Sequence, residues 1–343
     1  MTEREELRRF FLKTVIVVGV VALLWAAYLL RDLLLVFLVA FLIAAALAPL
    51  VDALERRGIP RLYTVIALAL CGLGALAILL MALFPALIAQ GEHLLRTWPE
   101  QSARLTRNAG QIPFASALLE QAGNVGQALQ SSAVSGLRFV FLALESAGHL
   151  LFILVLAIFL VLDAPELRRA LLALFPAPVA ERIAAQLPEI MRRLSAYVAG
   201  QALLSAILAV SGMILLAILH VPYVLLLGVL LGLFSVIPLI GPYLGMLPAL
   251  AVALLVSPWT ALVAGLLLYL LIHVVGTFIA PVIFRRSLNL SPLLMILSLA
   301  AGYRLGGLAG MILAVPMAAV IQVLVVNLYL EPKLRREGRA PLE

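Results

Sequence analysis

The sequence predicts an all-α, polytopic integral membrane protein, and three observations carry that prediction. Hydrophobic residues make up 65% of the 343 positions and charged residues only 12%, whereas a soluble domain is about half apolar and about a quarter charged. The mean hydropathy is +1.17, so a single soluble core could not hide the apolar surface. The apolar residues also fall in long runs, and at ~20 residues per bilayer crossing the chain has room for roughly eight to ten spans with their connectors.

The net charge is +7. In a soluble chain such a balance points to nucleic acid, but here the basic residues sit in short clusters beside apolar runs, as headgroups and cytoplasmic loops require. No nucleic-acid partner is expected; membrane lipids are. The lone Cys71 lies inside an apolar run and excludes a disulfide framework. Glu3, Glu5 and Glu6 dilute the basic N-terminus, which reads as a retained helix rather than a secretory signal. The expected location is a bacterial inner (plasma) membrane, with both termini on the cytoplasmic side.

Taken in order, Thr14–Leu30 and Leu33–Val51 are two apolar runs separated by Arg31 and Asp32, which predicts a tight antiparallel hairpin. Asp52, Glu55, Arg56, Arg57 and Arg61 follow, with Gly58 and Pro60 as breakers, and Leu62–Ala89 is long enough to cross with tilt. Residues 90–135 form a polar amphipathic insert, in which Pro99 and Pro113 limit any one helix to a few turns. Leu137–Leu162 is a further span. Residues 163–194 alternate charge with apolar positions and predict an interfacial amphipathic region.

From Leu194 to Phe284 there is no Asp, Glu, Lys or Arg. Residues 195–330 therefore read as a broken-helix transport core. Tyr197–Leu219 and Ala261–Phe284 are spans, whereas Tyr223–Val256 carries Pro238, Gly241, Pro242 and Pro248 in its middle. The run Pro292–Leu330 is interrupted around Gly302–Gly310. With the N-terminus inside, the arginines at 56–61 and in 163–194 fall inside too. Arg285 and Arg286 join them only if Tyr223–Val256 folds back, and the tail with Lys333 and Arg335 does so only if Pro292–Leu330 is broken near Arg304. The positive-inside rule thus favours two broken or re-entrant elements.

Several chemistries lack their parts. There is no H-E-x-x-H, no paired Cys-x-x-Cys and no phosphate loop, so no metal, cofactor or enzymatic activity is expected. No acidic residue lies between Glu189 and Glu331, which deprives the C-terminal half of a carboxylate relay. Glu145 with His149 at i+4, and Asp163, are the candidates for a proton-linked role, with structural pairing as the alternative. In the proline–glycine break, Ser235, Pro238, Gly241, Pro242, Tyr243, Gly245 and Pro248 are substrate-path candidates, because a broken membrane helix exposes main-chain groups that must line a cavity or be covered. His273, Thr277, Pro281 and Arg304 complete that set. Gly302, Gly306 and Gly310, every four residues ahead of Pro316, predict one smooth face, for close packing or for a sliding helix.

These blocks resemble the autoinducer-2 exporter family, also described as PerM-like permeases. The resemblance rests on Pro49 ending the second span, Tyr197-Val-Ala-Gly-Gln201, Ile237-Pro-Leu-Ile-Gly-Pro-Tyr-Leu-Gly245, Pro281, Pro292 and Gly306-Gly-Leu-Ala-Gly-Met-Ile-Leu-Ala-Val-Pro316, in matching order over nearly the whole chain. It implies about eight helices, a homo-oligomer that could be a pentamer, and export of the quorum-sensing signal autoinducer-2; some members resemble sodium (lithium)/proton antiporters. This chain departs from the family pattern before Pro281, where an acidic residue and an asparagine are usual and His273-Val-Val-Gly-Thr277 stands instead. The function expected is therefore a secondary transporter that exports a small polar organic molecule by alternating access. A cation/proton antiporter and a non-transporting membrane scaffold are its rivals.

Overall fold

The computed structural model describes residues 30–109, 147–284 and 290–330, Glu337, and isolated positions between 14 and 29. Glu145 and residues 110–135 of the polar insert lie outside the described residues, as do Arg285, Arg286 and most of the C-terminal tail. The described chain is built from helices: α1 (Arg31–Glu55), α2 (Arg61–Ala109), α3 (Ala147–Leu162), α4 (Ala164–Ala173), α5 (Ala177–Ile218), α6 (Val224–Phe234), α7 (Gly241–Val256), α8 (Pro258–Phe284) and α9 (Pro292–Val325). Among the described residues α1, α5, α8 and α9 are long and apolar enough to cross a membrane, with shorter apolar helices between them.

One end of the bundle gathers most of the described arginines. There α1 and α3 finish and α2 and α5 begin; Arg61 ties them by donating from Nε and Nη2 to the Val161 carbonyl at 3.1 and 3.0 Å. From this arginine end α2 runs without interruption to Ala109. Gln90, twenty-nine residues along, is ~43 Å away at 1.5 Å per residue, beyond the ~30 Å of hydrocarbon in a bilayer. Pro99 therefore does not divide the insert as expected. A helical proline removes one N–H, and the surrounding Leu94, Leu95, Glu100, Gln101 and Ala103 are good helix formers that carry the helix through it. Pro49 likewise lies inside α1, which continues to Glu55.

The tight hairpin expected at Arg31–Asp32 is absent. Leu30 N–H donates to Ala26 at 2.9 Å and Leu34 N–H to Leu30 at 2.8 Å, so the described backbone stays helical across the charged pair. No glycine or proline stands there to reverse the chain, and the charges sit on the surface, with Arg31 5.1 Å from the Tyr28 ring centroid.

The uncharged half is built from two fold-backs that enter from opposite ends. α5 leaves the arginine end, and the chain then turns back into α6, breaks at 235–240 and returns as α7. At ~16 Å, α6 is too short to cross. The two helices pack so closely that a Cβ on Gly245 would lie 2.7 Å from Leu231 Cα. Ser257 then accepts from Thr260 N–H at 2.9 Å and starts α8 with no intervening loop. α8 heads back to the arginine end, where the Gly200 position of α5 meets Ile283 and Phe284.

The second fold-back is α9, which is not one helix but two arms. Gly306 (φ −148°, ψ 23°) and Gly307 (φ 58°, ψ −138°) are non-helical, and the arm 292–305 turns against the arm 308–325. Gly302 and Gly310 consequently face each other across the turn; a Cβ on Gly302 would lie 2.8 Å from the Gly310 carbonyl carbon. The expected single smooth face at 302, 306 and 310 is thus replaced by backbone-to-backbone contact between two arms, because Gly307 reaches a positive φ that few other residues adopt. Gly310→Val should cost about 3 kcal/mol or more, since backbone cannot yield to the new side chain. Gly74→Val, where a Cβ meets nothing within 4 Å, should leave the melting temperature in detergent unchanged.

Candidate functional site

The tips of the two fold-backs come together beside α5. At the first tip Gln201 Nε2 donates to the Ser235 carbonyl at 2.6 Å. At the second, the register is set by Asn327 Nδ2 donating to Gln186 Oε1 at 2.6 Å; Gly306, twenty-one residues earlier, lies ~31 Å further along, near position 207 of α5. Both tips therefore fall within the uncharged stretch of α5, roughly 9 Å apart along its axis. Ile237 from the first tip packs in one cluster with Tyr197 of α5 and with Leu299, Met311, Ala314 and Val315 from the arms of the second.

At the first tip Ser235 is 2% exposed and its hydroxyl donates back to the Leu231 carbonyl. Pro238 and Leu239 form the turn, with Leu239 at φ 66°. Gly241 opens α7 by donating to the Ile237 carbonyl at 3.1 Å, and Pro242 occupies the first turn, where its missing N–H costs nothing. Gly245 and Pro248 are buried on the returning helix, Gly245 against α6. The described non-glycine residues with positive φ are His220, Tyr223 and Leu239. All three stand at the root or tip of this fold-back, and strained backbone of this kind costs of order 1–3 kcal/mol per residue.

Tyr243 reaches from α7 to an aromatic ladder on α8. Its ring is 6.4 Å from Tyr269, which stacks on His273 at 5.9 Å and 14°. Tyr269, His273 and Thr277 follow at i+4 spacing and all three are exposed, forming a polar stripe on an otherwise apolar helix. Thr277 belongs to a π-helical turn, Val275–Ile279. Pro281 causes it: without an N–H it leaves the Thr277 carbonyl unpaired, and the chain adjusts by widening the preceding turn. Arg304 is exposed on the first arm of α9, just before the break, and Pro316 is buried inside the second arm.

The proton-linked candidates are placed differently. Asp163 is exposed at the start of α4, at the arginine end, and His149 lies in the first turn of α3. Among the described residues no His/Cys/Asp/Glu group could hold a metal.

Sequence reasoning missed several residues that build the site. Gln201 was part of a recognised block but carried no role. Tyr197 is 5% exposed, stacks on Phe284 at 5.7 Å and has a buried hydroxyl without a partner among the described residues, as does Ser205 one turn beyond Gln201. At the root, Gln90 Oε1 accepts from Leu226 N–H at 3.0 Å, and His93 Nδ1 is 2.7 Å from the Tyr223 hydroxyl. Only Tyr269 left a readable signal, its i+4 spacing to His273 and Thr277. Gln201→Leu keeps the side chain's bulk but strands a buried carbonyl, so it should lower stability by about 1–3 kcal/mol. Thermal unfolding in detergent measures that loss, and hydrogen exchange should quicken at the end of α6 and not in α3.

Comparison with known proteins finds relatives that match nearly the whole chain. YrrI of Bacillus subtilis (strain 168) is 28% identical over 333 residues, covering 92% of this chain and 93% of the relative. The AI-2 transport protein TqsA of Escherichia coli (strain K12) is 29% identical over 324 residues, covering 91% of each. The family profile described as AI-2E family transporter matches residues 16–329. A bundle of apolar helices, interrupted twice among the described residues and matched to that profile over nearly its whole length, makes this chain a membrane-embedded member of the AI-2E transporter family.

Proposed function

We propose that this protein is a secondary transporter that exports a small polar organic molecule across the bacterial inner membrane by alternating access, with the arginine end in the cytoplasm. The observation that carries the reading is the pair of opposed fold-backs whose tips meet inside the uncharged stretch of α5. Interrupted helices turn the ends of their backbone towards one place in the membrane, where main-chain groups and a few side chains can bind a solute without a formal charge. The polar groups available are those of a neutral, hydroxyl-rich ligand's partners: Ser235, Tyr243, Tyr269, His273, Thr277 and the unpaired hydroxyls of Tyr197 and Ser205. Autoinducer-2 is the first solute to test, because TqsA carries that name. The clustering of arginines at one end supports the orientation by the positive-inside rule.

The test is flux of labelled autoinducer-2 in proteoliposomes that contain only this protein, with sodium pulses and an internal pH dye in parallel. Solute should move, and sodium should not trigger a pH change. His273→Gln and Thr277→Val sit on an exposed stripe and should melt with the parent protein while slowing flux at least about tenfold, the effect of little over 1 kcal/mol on a barrier. Sodium-triggered pH change without solute movement would overturn the proposal in favour of antiport. Silence in both channels with autoinducer-2 and a panel of polar metabolites would overturn transport itself.

A further inference from the structure

Away from the tips, a cavity of about 1640 Å³ opens at the arginine end between α1, α3, α4 and α5. Its lining holds six arginines against two carboxylates, Asp52 and Glu189. The charges are not evenly matched. Arg61 is spent on the Val161 carbonyl and on Asp52 and Glu55, at 3.4 and 3.0 Å. Arg169 pairs with Glu166 at 2.6 Å, and Arg192 and Arg193 share the single carboxylate of Glu189. Among the described residues Arg56 makes no ion pair, and Arg168 makes only a 3.5 Å contact with the Ala184 carbonyl. Two guanidinium groups therefore border the cavity unneutralised.

Beneath them the walls change character. Phe41, Ala44, Ala45 and Leu160 line the cavity, giving an apolar trough that small side chains keep open. The fourth helix fixes the depth of the mouth. α4 buries none of its residues, and Leu167, Leu171 and Leu174 are 45%, 41% and 78% exposed, at the i, i+4, i+7 spacing of one apolar face. A helix of that kind lies in the membrane interface and holds Arg168 at headgroup level. Cations above an apolar trough, opening at headgroup depth, match the two ends of one molecule.

We propose that this cavity binds an anionic phospholipid, with the phosphate held by Arg56 and Arg168 and an acyl chain against Phe41, Ala45 and Leu160. A free phosphate ester would use the guanidinium groups but leave the trough uncovered; a zwitterionic lipid would fill the trough but bring its own cation to the arginines.

The site can be tested on the purified full-length protein by native mass spectrometry, with phosphatidylglycerol and phosphatidylcholine competing at equal concentration. The wild type should retain phosphatidylglycerol in preference, a comparison that needs no variant. Arg56→Gln with Arg168→Gln should weaken retention about 30-fold, the loss expected for two arginines near a membrane surface. Arg57→Gln with Arg182→Gln removes the same charge from exposed positions outside the cavity and should change retention little. Equal retention of the two lipids by the wild type, or equal losses in both double variants, would overturn the proposal. Displacement of phosphatidylglycerol by glycerol phosphate at similar concentration would also overturn it, by identifying a soluble phosphate ester as the occupant.

Discussion

An interrupted helix inside a bilayer leaves amide and carbonyl groups without water to bond, and the rest of this structure depends on how those groups are met. The root of α6 has no side-chain cap of its own, and its third amide is met from another helix by Gln90. The other end of α6 surrenders the Ser235 carbonyl to Gln201. α7 carries Pro242 in its first turn, where there is no amide to lose. α8 and α9 begin at Ser257 and Ser291, whose hydroxyls accept from Thr260 and Leu294. Each of these helix ends is thus met in its own way, and the long helices α2 and α5 carry two of the groups that do so, Gln90 and Gln201.

This explains which parts of the architecture could be read from the sequence. Punctuation was legible where breakers reinforce one another: Pro238, Gly241 and Pro242 stand within five residues, and Gly306 and Gly307 are adjacent. Isolated prolines misled. Pro49, Pro99 and Pro248 lie inside helices, because one missing N–H is outweighed by the helix formers and apolar packing on either side. The Arg31–Asp32 pair misled in the opposite way, since two charges without a turn former do not reverse a chain.

What could not be read is whatever depends on distant residues meeting. Gln90 and Leu226 are 136 positions apart, Gln186 and Asn327 141. The arginines at 56–61 and in 163–194 were visible separately, but only the packing of α4 against α3 and α5 makes them walls of one cavity. The candidate site divides along the same line. Its backbone breakers were evident from Pro and Gly, whereas Gln201, Tyr197 and Ser205 look in the sequence like ordinary residues of an apolar helix.

The attachment of α6 to α2 has a mechanical consequence. His93 and Thr97 approach the Tyr223 hydroxyl at 2.7 and 3.4 Å, one turn from the Gln90 bond, so the root of the fold-back is tied by polar contacts to a long helix, while its tip is held by the Gln201 bond and by the buried packing of Ile237. At the opposite root Ser257 joins α7 to α8 with no slack. The element is a beam held at both ends, by polar bonds at the root and chiefly by apolar packing at the tip. The tip at 235–240 thus depends on its packing and on the Gln201 bond, and the root on its attachment to α2.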